Sequence, residues 1–173
     1  MVQVRVVRLP DDADGVAGLD ASFLTERELD VQPDQLGFRV ASRELPAPRG
    51  KAYRVVAAPG GLVAVDKDEV IGYAEISYAA WNRRAALEHI YVASRHRGTG
   101  TGTALLAEAV RQARATGARC LWLETQNVNE PAIGFYLSRG FRICGLDTTF
   151  YDPAESPGEV AIFLAMDLED VVP

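Results

Sequence analysis

Three glycines at alternating positions, Gly98, Gly100 and Gly102, follow the basic cluster Arg95, His96 and Arg97 and lead directly into a helical pattern. A phosphate needs several backbone N–H groups aimed at it from close range. Residues without a Cβ permit that approach, and a helix N-terminus adds partial positive charge. The loop residues Arg97, Gly98, Thr99, Gly100, Thr101, Gly102 and Thr103 are therefore a candidate phosphate-binding set. A P-loop would place Lys after its glycines, and none is here. A dinucleotide-binding turn is a closer rival, since a strand precedes the glycines, a helix follows, and Glu124 ends the next strand where a ribose-binding acid would stand. Against it, Thr103 occupies the third glycine position, five residues separate strand from loop, and too little chain remains for a second half.

Two carboxylates interrupt strand-like sequence. Glu88 lies between Leu87 and His89 in "AALEHIYV", and strict alternation puts it on the side of Ile90 and Val92, with His89 opposite as a structural histidine. A carboxylate in such a strand is costly unless it meets water or a partner, so a site role follows, direct or through water. Glu75, in "YAEISY" on the neighbouring strand, has the same physical claim. Trp81 in the turn between those strands offers an aromatic face to an ammonium, with Tyr78, Tyr53 and Tyr151 as further pocket candidates. His96 adds positive potential beside the loop.

The elements that must carry these groups alternate between strand and helix periodicity. "VQVRVVRL" reads as a first strand and "PDDADGVAGLDASF" as a helix; "LPAPRGKAYRVVAAPGGLVAVDKDEVIGYAEISY" reads as a loop and then two strands with a turn at "DKDE". After the glycines, Leu105, Leu106, Ala109, Val110 and Ala113 recur at helical spacing until Gly117. "RCLWLE" is a strand, and "NEPAIGFYLSRG" a helix with Asn129 at its N-cap; "FRICG" and "EVAIFLAMDL" are closing strands. The class is α/β, with a largely antiparallel centre. At 173 residues and 48% hydrophobic content, the expectation is one domain over residues 1–173. No apolar stretch suits a signal peptide or a membrane span, which predicts a cytoplasmic protein with no membrane partner. Cys120 and Cys144 sit in apolar runs without metal-ligand spacing and read as buried free thiols, so no metal is expected. The net charge of −6 disfavours nucleic acid and favours a cationic partner.

The pattern Arg97-x-x-Gly100-x-Gly102 resembles the acyl-CoA pyrophosphate loop of the GNAT superfamily of N-acetyltransferases. "NVNEPAIGFYLSRGF" is similar to a second family signature, here Asn129, Ala132, Tyr136, Gly140 and Phe141, and the resemblance is continuous from about Val70 to Leu168. More narrowly, "WNRRAALEHIYV", "HRGTGTGTALL", "LETQNVNEPA" and "GLDTTFY" resemble the streptothricin acetyltransferase branch, which acetylates a cationic antibiotic on its β-lysine amine. The resemblance implies a single GNAT domain, its mixed, mostly antiparallel sheet splayed at the fourth and fifth strands and flanked by helices. It also implies acetyl-CoA as cosubstrate, with backbone groups of Ile90, Tyr91 and Val92 pairing with pantetheine and Asn129 joining the loop as a cofactor-binding residue. Tyr136 is then the candidate general acid, because a phenol keeps its proton at neutral pH and delivers it only as thiolate charge forms. Glu88 is the preferred base, and Glu75, Tyr78 and Trp81 the acceptor-binding group. A protein N-terminus, a lysine side chain, a polyamine, or a non-catalytic acyl-CoA-binding role stays open, as does a homodimer.

Overall fold

The computed structural model describes residues 2–169. In chain order the elements are β1 (Gln3–Val6), α1 (Ala13–Ala17), β2 (Phe23–Asp34), β3 (Gly37–Lys51), β4 (Leu62–Asp66), β5 (Glu69–Ala79), β6 (Arg84–Val92), α2 (Thr101–Ala115), β7 (Cys120–Gln126), α3 (Glu130–Leu137), β8 (Arg142–Asp147) and β9 (Ala161–Asp167). One sheet has the hydrogen-bonded order β1-β4-β5-β6-β7-β9-β8, and β2 with β3 forms a separate two-stranded ribbon. The sheet is mixed and mostly antiparallel, as expected, with β6 and β7 a parallel pair. No helix among the described residues is long and apolar enough to cross a membrane.

The described residues gather into two compact units, 2–22, 52–122 and 167–169 in one, 23–51 and 123–166 in the other. In the first, a β4–β5 hairpin turns at Lys67 and Asp68, both at positive φ (48° and 68°), the primed geometry that matches strand twist. Helix α2 buries Leu105, Leu106, Ala109 and Ala113 of the stripe anticipated from spacing, while Val110 is only half-buried. It comes so close to β5 at Gly72 that a Cβ there would stand 2.9 Å from a Leu105 methyl. The parallel ladder between β6 and β7 is three pairs long, Arg84–Cys120 to Ala86–Trp122, and β6 continues to Val92 beyond it. That is the splay the family resemblance implied.

Helix α1 is five residues long rather than the predicted run of about fourteen. Asp12 accepts two hydrogen bonds from Arg5 (2.6 and 2.8 Å) and one from the Arg8 N–H, which ties the helix start to β1. The carboxyl is held down at about 2, first by Arg5. Cys120 is a buried free thiol as expected, but Cys144 is exposed, because β8 is an edge strand.

In the second unit the ribbon is the main departure from the sequence reading. "LPAPRGK" belongs to β3, where the sequence reads as a loop. The register jumps from Thr25–Arg49 to Arg27–Glu44, so Leu45–Pro48 lie in an irregularity where no ladder donor is required of a proline. Asn127, almost fully buried, pins this unit: its backbone exchanges bonds with Leu29 and Val160, and its amide bonds both residues again.

Candidate active site

The loop of the first unit begins where β6 ends. Gly98 and Gly100 take positive φ (74° and 92°), and Gly100 is the N-cap of α2 with no side-chain cap. A Cβ built on either glycine meets nothing within 4 Å. The first-turn N–H groups of Thr101, Gly102 and Thr103 have no acceptor within the helix. Open space beside bare backbone at the start of a long helix fits a pyrophosphate. Arg97 braces this arrangement, its guanidinium donating to the Val92 carbonyl (3.0 Å) and the Asp20 carbonyl (3.1 Å). Thr99 bonds the His96 carbonyl (2.6 Å) and meets Thr101 at 3.1 Å. Arg95 is paired with Glu69 and donates to His96 at 3.2 Å, so part of the cluster's charge is compensated.

Ile90, Tyr91 and Val92 pair with Ala74, Tyr73 and Gly72 on β5. Paired residues share a face and successive residues alternate. Gly72, Ala74, Ile90 and Val92 therefore occupy the α2 side, and Tyr73, Glu75, His89 and Tyr91 the other. The pairing then slips from Glu75–His89 to Ile76–Leu87, leaving Glu88 as an extra residue in β6. Glu88 accepts a hydrogen bond from Ser77, which shares the face of Glu75. The predicted alternation is thus overturned: Glu88 lies with His89, away from Ile90 and Val92, because a bulge breaks the two-residue period. His89 stacks on Tyr91 with ring centroids 5.7 Å apart, and Tyr53 packs 5.9 Å from Tyr91. Burial pushes the Tyr91 phenol up.

Tyr73 was not anticipated as a functional residue. It is fully buried, accepts the Ala58 N–H at 3.0 Å and donates to Glu75 at 2.8 Å. Burial, together with that carboxylate, pushes its phenol up to about 12. The "YAE" spacing did contain a signal, since residues two apart in a strand share a face. Tyr78 lies on the α2 side, away from Glu75 and Glu88, and Trp81 stands 87% exposed in the turn at the opposite end of the β5–β6 ladder from Val92. The proposed acceptor-binding trio is not gathered in one place.

The second unit holds Tyr136, buried in α3 between Phe135 and Phe141, each with its ring centroid 5.5 Å away. Asn129 caps α3 as predicted, accepting the Ala132 N–H at 3.4 Å. The same unit contains a polar group around Glu124. Tyr151 donates to Glu124, while the buried Glu159 is paired with Arg49 (2.9 Å) and Lys51 (2.6 Å). Burial pushes the Glu124 carboxyl above the usual range, outweighing the opposing effects of Tyr151 and Lys51.

A glycine loop at a helix start, beside a strand that leaves its parallel neighbour after three pairs, suits a nucleotide thioester, and comparison with known proteins agrees. Residues 28–141 match the Acetyltransferase (GNAT) family model. The streptothricin acetyltransferase of Streptomyces lavendulae is 40% identical, over 91% of this chain and 90% of that protein. The crystal structure of nourseothricin acetyltransferase superposes with a TM-score of 0.89 at 38% identity, covering 97% of this chain and 99% of that one. A Bacillus anthracis protein solved in complex with acetyl coenzyme A superposes at 0.83 with 26% identity, covering 96% and 99%. With the loop, the extended β6 and these likenesses in agreement, the chain belongs to the GNAT family and is an acetyl-CoA-dependent N-acetyltransferase.

Proposed function

We propose that the enzyme acetylates the β-lysine amine of streptothricin in a ternary complex, with residues 1–173 serving as one acetyltransferase domain in the cytoplasm. The observation that carries this reading is the extent of the likeness. Identity of 40% runs through nine tenths of both chains, so it is not confined to the loop and its helix. An acidic chain with two carboxylates on one face of β5 and β6 supports a cationic acceptor.

The residues divide the work as follows. Backbone N–H groups from Gly98 to Thr103 hold the pyrophosphate, and those of Ile90 to Val92 hold pantetheine, with one donor facing the thioester oxygen where charge develops. Acetyl-CoA, when bound, supplies an acetyl thioester open to direct attack by a neutral amine. A strand carboxylate, Glu88 or Glu75, takes the ammonium proton. The Tyr136 phenol donates to the departing sulfur. Thiol release with streptothricin, free lysine, spermidine and a short peptide at equal acetyl-CoA tests the reading. Streptothricin is expected to lead by several orders of magnitude in kcat/KM, and Tyr136→Phe to lower kcat about 10²-fold or more with little change in the acetyl-CoA KM. Faster turnover of spermidine or the peptide excludes the antibiotic as the preferred acceptor.

A further inference from the structure

We propose that Glu75 is the carboxylate that takes the acceptor's proton, and that Tyr73 is the positioning residue that aims it. The inference rests on the acetyltransferase reading but not on which amine is the acceptor.

Fully buried carboxylates elsewhere in the chain face cations, and half-buried Glu124, which meets the Tyr151 phenol, has the Lys51 charge close by. Asp12 is held by Arg5, Glu28 by Arg43, and Glu159 by Arg49 and Lys51. Glu75 is half-buried, yet its hydrogen-bond partner is a neutral phenol, and among the described residues it forms no ion pair. Its charge is therefore left for an incoming ammonium to balance.

The phenol is fixed in both position and polarity. The Tyr73 ring is fully buried and lies against Gly61, where a Cβ would stand 2.7 Å from it. Its oxygen already accepts the Ala58 N–H, so its single proton is directed to Glu75 Oε2, and the other carboxylate oxygen stays available. Along this face of β5 the environment grades outward from buried Tyr73, through half-buried Glu75, to exposed Ser77. A base needs partial desolvation together with access, and Glu75 stands at that boundary. It is paired across the ladder with His89, the residue before Ile90. Glu88 is exposed and held only by a hydroxyl, so it suits a second positive charge on the acceptor better than the proton transfer.

The protons balance. The acceptor ammonium gives one proton to Glu75 and becomes a neutral amine, whose nitrogen bonds the acetyl carbon as the carbon–sulfur bond breaks. The nitrogen's next proton is lost as the amide forms, the sulfur gains one, and the net proton leaves Glu75 for water.

Four variants assayed with the amine the wild type acetylates fastest decide the matter: Glu75→Gln, Glu88→Gln, Tyr73→Phe, and Tyr73→Phe combined with Glu75→Gln. Glu75→Gln should lower kcat about 100-fold, leaving the acetyl-CoA KM within about twofold. Glu88→Gln should act mainly through the acceptor KM. Tyr73→Phe keeps the ring in its packing and should lower kcat about 10-fold. Because the hydroxyl acts through Glu75, the double variant should be no slower than Glu75→Gln alone, within about twofold. Additive losses mean that Tyr73 only supports the fold and overturn its positioning role. If Glu88→Gln carries the kcat loss and Glu75→Gln stays within threefold of wild type, the assignment of Glu75 is wrong. Should Tyr73→Phe fail to fold, the two glutamine variants, which keep their hydrogen-bond acceptors, still decide the base. A wild type whose thiol release no amine accelerates overturns the acetyltransferase reading itself, whereas a poor rate with streptothricin alone leaves this comparison intact on another acceptor.

Discussion

Glu124 and Asp12 illustrate opposite ways in which one carboxylate can depend on its surroundings. Asp12 meets a bidentate guanidinium and is held down at about 2, so its stabilising contribution is present above the ordinary carboxylate range and lost as pH falls through about 2. Glu124 is raised, chiefly by burial, with Tyr151 and Lys51 only partly offsetting the loss of water. A raised carboxylate binds its proton more tightly in the folded than in the unfolded chain. Its favourable contribution is therefore complete below the unfolded value, and it is lost as pH rises through the folded one. Glu124→Gln keeps an acceptor for Tyr151 and removes the desolvated charge. It should raise Tm relative to wild type at pH 7 to 8, with the gap closing toward pH 4. Thermal unfolding across that range measures it, and a gap independent of pH would show that ionisation is not the cause.

At the level of elements, the two ends of α2 separate strain from function. Gly100 before the helix and Gly117 after it both take positive φ, at 92° and 77°, and a Cβ on either meets nothing within 4 Å. An alanine at either position therefore carries the same left-handed penalty, about 1 kcal/mol. Only Gly100 stands where phosphate oxygens are expected. Gly100→Ala and Gly117→Ala should lose similar stability, while acetyl-CoA affinity falls at least about 10-fold in the first and stays unchanged in the second. Calorimetric titration of both variants checks this, and equal affinities would remove the loop from the binding site. The β6 bulge is the other element with consequences, since one extra residue sends Glu88 to the face of Glu75 and His89.

On the scale of the whole molecule, 24 acidic against 18 basic residues give the net charge of −6. Such a field attracts a multiply charged amine more than a singly charged one, and salt screens it. Raising sodium chloride from about 50 to about 300 mM should lower kcat/KM several-fold for a polycationic acceptor and much less for free lysine; equal salt dependence would argue that the field plays no part in capture. The amino-acid sequence by itself determined the glycine loop, the helix behind it, the Asn129 cap and the family, because each depends on residues close together in the chain, where spacing maps directly onto geometry. The ribbon of β2 and β3 was hidden by Pro46 and Pro48, which are tolerated only because the opposite strand leaves them in an irregularity of the ladder. The face of Glu88 was misread for the same reason, since a bulge is a property of two paired strands. Tyr73 gained its meaning from the Ala58 N–H, 15 residues earlier, and from burial beside α1 and Val55. Only the tertiary structure decided which carboxylates meet cations and which meet a phenol, because that choice is made by side chains far apart in the chain and brought together by packing.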